Sequence, residues 1–207
     1  MTAAGAEGLF LHASSVALED GALLFLGHST AGKSTLARLL GGMFPVLADD
    51  SVYAFRDAQG VWRVVDGSFR QEHADMAGWQ EAVRRRAATG PSLRLSGCVR
   101  IHKASEARME PLPPLETARC LMDAAMEIDV QRKYGRSRTG SRPAEPMSVR
   151  QMRRQWFRGV ADIARTCPGW NLWFSMEFRG ADLLALLFPA GRGLRRDPPP
   201  SPTLASS

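Results

Sequence analysis

The sequence predicts an α/β nucleotide-binding domain of the P-loop type, a mixed sheet with flanking helices, and three observations carry that prediction. Gly27-His28-Ser29-Thr30-Ala31-Gly32-Lys33-Ser34-Thr35 matches G-x-x-x-x-G-K-[ST] in full. Residues 22–26 (ALLFL), directly before it, are a short continuous apolar run, the mark of a strand buried on both faces. Directly after it Leu36, Leu39 and Leu40 recur at helical spacing until Gly41-Gly42 stops the pattern. The pattern alone arises by chance in about one chain of this length in a hundred. The strand before it and the helix after it make the signal specific.

The elements follow in order. Residues 9–18 read as extended, and Glu19-Asp20-Gly21 separates them from the strand at 22–26. Asp-Gly between apolar runs predicts a tight hairpin with positive φ at both central positions, and so an antiparallel partner for that strand. Residues 45–48 predict a strand ending at Asp49-Asp50. Residues 52–56 and 61–65, rich in Val, Trp, Tyr and Phe, predict a hairpin across Asp57-Ala58-Gln59-Gly60. Residues 67–91 are polar and poorly periodic, and no element is predicted there. A strand is expected at 93–102, then a helix over 115–128 burying Leu115, Ala118, Leu121, Met122 and Ala125. Residues 135–146 break the pattern. Ser148 and Gln151 form a capping box for a helix whose Val149, Met152, Trp156, Val160 and Ile163 share one face. Alternation over 170–178 predicts a late strand, and 182–188 a short final helix. No internal repeat is present.

At 207 residues and 44% hydrophobic content, the chain suits one domain, expected over 1–188. Residues 189–207, with Pro198-Pro199-Pro200 and a Ser-rich end, read as a disordered tail. No apolar run approaches the roughly eighteen residues of a membrane span, and residues 1–7 lack a basic start, so a cytoplasmic protein without a membrane partner is expected. Cys98, Cys120 and Cys167 are odd in number and widely spaced, which predicts reduced, mostly buried thiols.

The formal net charge is +6, and its position is informative. Residues 131–158 hold nine Lys or Arg against one acid, Glu145. Only Tyr134 and Trp156 interleave as aromatics, so nucleic acid is not an expected partner. Two readings stay open: a basic loop with the solvated face of the next helix, or a clamp for nucleotide phosphates or an acidic peptide.

A loop of this kind aims backbone N–H groups and a positive helix end at phosphate oxygens. Gly27, His28, Ser29, Thr30, Ala31, Gly32, Lys33, Ser34 and Thr35 are therefore the predicted nucleotide-binding residues. Lys33 would neutralise the β- and γ-phosphates, and the Ser34 hydroxyl would join the Mg²⁺ shell. Asp49-Asp50 follows an apolar strand, where paired carboxylates can hold Mg²⁺ and accept a hydroxyl proton.

With Leu11-His12-Ala13-Ser14, then GHSTAGKSTL, then Leu47-Ala48-Asp49-Asp50-Ser51, the chain resembles the HPr kinase/phosphorylase catalytic domain and the small HPr-kinase-like proteins encoded with peptide-modifying systems. The strong matching covers residues 9–53. Thr30 stands where that family usually has its second glycine, and His28 where an acidic or small residue is common. The resemblance implies a fold akin to phosphoenolpyruvate carboxykinase and phosphoryl transfer from a nucleotide to serine. It implies Asp49 as general base, with Asp50 and His12 completing the site.

The expected function is thus an ATP- and Mg²⁺-dependent kinase acting on a serine hydroxyl of a peptide or small protein, as a monomer or a homo-oligomer. Asp49, Lys33 and His12 are its catalytic residues, and Ser34 and Asp50 its metal side. A small-molecule kinase and a non-catalytic nucleotide switch are the alternatives. The antiparallel hairpin expected before the loop argues against the first, and a carboxylate at the γ-phosphate against the second.

Overall fold

The computed structural model describes residues 8–68, 76–135, 149–175 and 177–187. In chain order its elements are β1 (Gly8–His12), β2 (Ser14–Leu18), β3 (Gly21–Leu26), α1 (Lys33–Leu40), β4 (Val46–Ala48), β5 (Ser51–Arg56), β6 (Trp62–Asp66), α2 (Met76–Thr89), β7 (Leu93–Lys103), β8 (Arg108–Pro111), α3 (Pro114–Gly135), α4 (Val149–Thr166), β9 (Gly169–Phe174) and α5 (Gly180–Leu187). The fold is α/β, a mixed sheet with flanking helices, in the strand order β1-β5-β6-β7-β3-β2-β4, with β9 on β7 and β8 on β9.

Strand β3 pairs antiparallel with β2 and parallel with β7, and β7 pairs parallel with β9. Its side chains alternate between two cores, as the period of a strand requires. Leu23 and Phe25 pack with Leu36, Ala37 and Leu40 of α1 and Leu183 of α5. Leu24 and Leu26 pack with Leu121 and Ala125 of α3 and Val160 and Ile163 of α4. Covered on both faces, β3 is apolar throughout.

Several expectations change. The β2–β3 hairpin forms, but Leu18 pairs with Gly21, so Glu19-Asp20 make the turn and neither has positive φ. Gly21 is needed for a different reason: its φ is 153°, and a Cβ there would collide with Ser96 and the Arg94 carbonyl of β7. Residues 76–89 form α2, where the sequence predicts no element; Trp79, Val83 and Ala87 give it a buried stripe at every fourth residue, too narrow to stand out beside Arg84, Arg85 and Arg86. Strand β8 was not predicted either. In α3 the buried face is Thr117, Leu121, Ala124, Ala125 and Ile128, while Leu115 is 66% exposed in the first turn. Strand β9 ends at Phe174, four residues before the alternation does, because Ser175 turns the chain: its carbonyl accepts from Phe178 N–H at 3.2 Å and its hydroxyl from Glu177 N–H at 3.2 Å.

Cys98 and Cys167 are buried, Cys120 is half-buried, and all three are free thiols; burial pushes the Cys98 thiol well up. No helix among the described residues is long and apolar enough to cross a membrane. In the basic stretch Arg153, Arg154 and Arg158 are exposed on α4, while residues 136–148 lie outside the described residues, as does the predicted tail at 189–207.

Candidate functional site

Where β3 ends, residues 27–32 form a loop that closes on itself: Ala31 N–H donates to the His28 carbonyl at 2.9 Å. Two glycines permit this. Gly27 has φ 155°, and a Cβ there would lie 2.9 Å from the Ala31 Cβ and 3.1 Å from Ile101 Cγ1. Gly32 caps α1 at φ 101°, ψ 20°, a left-handed conformation that costs other residues about 1–2 kcal/mol. The first turn of α1 carries no acidic residue. Its amides lack partners within the helix, so the loop offers donors and a positive dipole end to an anion.

Lys33 is buried, with 5% exposure, and its Nζ donates to the carbonyls of Gly27 at 2.8 Å and His28 at 3.1 Å. Burial lowers its pKa below the ordinary 10.5, while the carboxylates of Glu127 and Asp50 act the other way.

The carboxylates arrive by a property of the topology. The β1–β5 ladder ends at His12 opposite Ser51, and the β2–β4 ladder begins at Ser15 opposite Ala48. Residues 13–14 and 49–50 therefore pass together from one pairing to the other. Ser14 also pairs with Phe25, which fixes this crossing beside the end of β3. There the Ser14 hydroxyl donates to the Asp49 carbonyl at 2.6 Å and reaches its carboxylate at 3.4 Å. The Ser34 hydroxyl donates to the same carbonyl at 3.5 Å.

His12 is buried between two acids. Its Nδ1 is 3.3 Å from Asp50 Oδ1, and its Nε2 3.8 Å from Glu127 Oε1. The Asp50 approach is off the hydrogen-bond direction, so Nδ1 has an ionic neighbour and no hydrogen bond.

A cavity of about 320 Å³ is lined by His12, Ser29, Thr30, Gly32, Lys33, Ser34, Thr35, Asp49, Asp50 and Lys103. Of the residues predicted from the sequence, Gly27, His28 and Ala31 do not line it: the first two turn carbonyls to Lys33, and Ala31 closes the loop. Lys103 and Glu127 are not among the residues predicted from the sequence. Lys103 ends β7, parallel neighbour of β3, and residues at the carboxyl ends of parallel strands are where ligands gather, so that rule could have found it. Nothing in the sequence marks Glu127, which reaches His12 only because α3 packs over β1.

Ser34 and Asp50 face this one cavity with oxygen donors, and the Asp50 side chain is 72% exposed. They fit a hard cation that takes its other ligands from phosphate and water. Among the described residues no group of three or more His, Cys, Asp or Glu could cage a metal without such help.

The solved structure of the Hpr(Ser) kinase/phosphatase from Coxiella burnetii is similar to this chain at a TM-score of 0.31 and 11% identity, over 61% of this chain and 93% of that one. No curated protein sequence matches. The model of the family "SynChlorMet cassette protein ScmC" matches residues 1–181, and the chain belongs to that family.

Proposed function

We propose that this chain is a P-loop phosphotransferase of the HPr-kinase-like type, which uses ATP and Mg²⁺ to phosphorylate a serine hydroxyl of a peptide or small protein. One observation supports the reading above others: the Lys33 loop and the Asp49-Asp50 pair, distant in sequence, line the same cavity. A nucleotide store needs the loop alone. A transferase also needs a proton acceptor facing the terminal phosphate.

In this reading the amides of Ser29, Thr30, Gly32, Lys33, Ser34 and Thr35, with the Lys33 ammonium, hold the phosphates. The acceptor oxygen attacks the terminal phosphorus, the bond from phosphorus to the bridging oxygen breaks, ADP leaves with that oxygen, and the hydroxyl proton passes to Asp49. Asp49 suits the role because its carboxylate has one hydrogen-bonding neighbour, the Ser14 hydroxyl, and no ion pair among the described residues. Ser34 and Asp50 would hold Mg²⁺, which supplies charge neutralisation on the phosphates when bound. His12, between Asp50 and Glu127, fixes the direction of Asp50.

The test is incubation with γ-labelled Mg-ATP and a library of serine-containing peptides. Label on serine is the expected result. Tight Mg-ATP binding with no label on any acceptor would favour the switch reading, and no Mg-ATP binding would end both.

A further inference from the structure

The face of β7 that lies against the phosphate loop ends in a second lysine. Val99 and Ile101 are buried in one core with Leu36, Ala37 and Leu40 of α1, and Lys103 is the next residue of β7 on that face. Ile101 lies against the start of the loop, since a Cβ on Gly27 would be 3.1 Å from its Cγ1. Lys103 pairs with Phe174 of β9, and the Phe174 ring reaches Gly32, where a Cβ would be 3.3 Å from Cζ. Residues paired across two strands project from the same face. The Lys103 side chain therefore leaves the sheet beside the ring that meets the N-cap of α1, and it lines the cavity.

The strand order sets this lysine apart from the acids. Asp49 and Asp50 follow β4, which lies beyond β2 on one side of β3, whereas β7 adjoins β3 on the other. The charges make that position matter. Two carboxylates, Asp49 and Asp50, face the cavity against two ammonium groups, Lys33 and Lys103. Without Lys103 the acids would outnumber Lys33, and the wall would disfavour an anion. Lys33 is also constrained, because two of the three N–H donors of its ammonium go to the carbonyls of Gly27 and His28. Lys103 is exposed and enters no ion pair among the described residues, and its flexible four-carbon stem lets the ammonium follow a ligand.

We propose that Lys103 is a phosphate-binding residue, a second cation that grips the phosphates of the donor from the β7 side while Lys33 and the amides of α1 hold them at the loop. The inference rests on the nucleotide reading of the cavity and adds to it a residue that the G-x-x-x-x-G-K-[ST] pattern does not contain. Phosphate is the group this position fits: the helix end beside Lys103 already favours an anion, and a lysine is a point charge that any phosphate oxygen can meet. The acceptor hydroxyl brings no charge for it to meet, and the carboxylate that would take its proton stands across the loop.

Calorimetry of Mg-ATP and of inorganic tripolyphosphate with Mg²⁺, on the parent and on Lys103→Met, Lys103→Arg and Arg154→Met, tests this. Lys103→Met should bind both ligands about tenfold or more weakly and by similar factors, because each loses a charge-assisted hydrogen bond to phosphate. Lys103→Arg keeps the charge and should stay near the parent. Arg154→Met removes an exposed cation of α4 that does not line the cavity, and it should match the parent. Binding of both ligands by Lys103→Met at the parent affinity would overturn the proposal and leave the nucleotide reading standing. So would a loss confined to ATP, which would put Lys103 at the nucleoside, or an equal loss in Arg154→Met, which would reduce the effect to the net charge of the chain. A parent that binds neither ligand would overturn the nucleotide reading together with the proposal.

Discussion

The imidazole of His12 lies 3.3 Å from the Asp50 carboxylate and, through its other nitrogen, 3.8 Å from that of Glu127. A buried ring between two acids orients them as much as they orient it. His12→Gln keeps a polar side chain of similar reach but removes the ring. It should lower phosphoryl transfer on the order of tenfold and raise the Mg²⁺ requirement, because Asp50 loses its orienting neighbour. Steady-state kcat and KM, read separately, check it.

Lys33 gives a prediction with a pH sign. Its folded pKa is below 10.5 because burial disfavours the charge, so just below pH 10.5 the unfolded chain binds more protons than the folded one. Stability relative to Lys33→Met should therefore move in favour of the parent as pH rises toward 10.5, measured by urea unfolding at a series of pH values. Lys33→Ala should also weaken Mg-ATP binding roughly ten- to a hundredfold.

Gly32 holds φ 101°, and a Cβ there would lie 3.3 Å from Phe174 Cζ. Gly32→Ala should cost about 1–2 kcal/mol, from backbone strain chiefly. Denaturant unfolding measures the loss, and tripolyphosphate affinity should fall with it.

Away from the cavity, Asp162 joins β6 to α4 by accepting from Trp62 Nε1 at 2.9 Å and from Arg165 at 2.7 Å. Burial works to raise its pKa, but the hydrogen bonds from Trp62 and Arg165 and the charge of Arg56 outweigh it and hold the carboxyl below 3.8. The stability this contributes is present above 3.8 and lost as pH falls through the lower folded value. Asp162→Asn should cost about 1–3 kcal/mol at neutral pH, with the difference from the parent shrinking in acid. Chemical unfolding at neutral and acid pH reads both.

What the sequence made legible was local. The glycines of the 27–32 loop, the apolar run of β3 and the stop at Gly41 are short-range signals, and the elements they predict are present. The stripe of Trp79, Val83 and Ala87 was hidden because α2 covers a small sheet face and leaves most of its surface polar. Leu115 was misplaced because one leucine in a first turn does not reveal which way the helix faces. The meeting of His12 with Asp50 was legible only through family resemblance, since it depends on two strand pairs changing partners at residues 13–14 and 49–50. Lys103 and Glu127 depend on strand order and helix packing, which no local pattern encodes.

In the proposed transfer Asp49 receives the proton of the acceptor hydroxyl. Single-turnover transfer from Mg-ATP to a proven serine acceptor, by the parent, Asp49→Asn and Asp50→Asn, tests it most directly. Asp49→Asn should bind Mg-ATP like the parent and transfer about a hundredfold or more slowly, while Asp50→Asn should raise the Mg²⁺ requirement. Transfer by Asp49→Asn at the parent rate would contradict it.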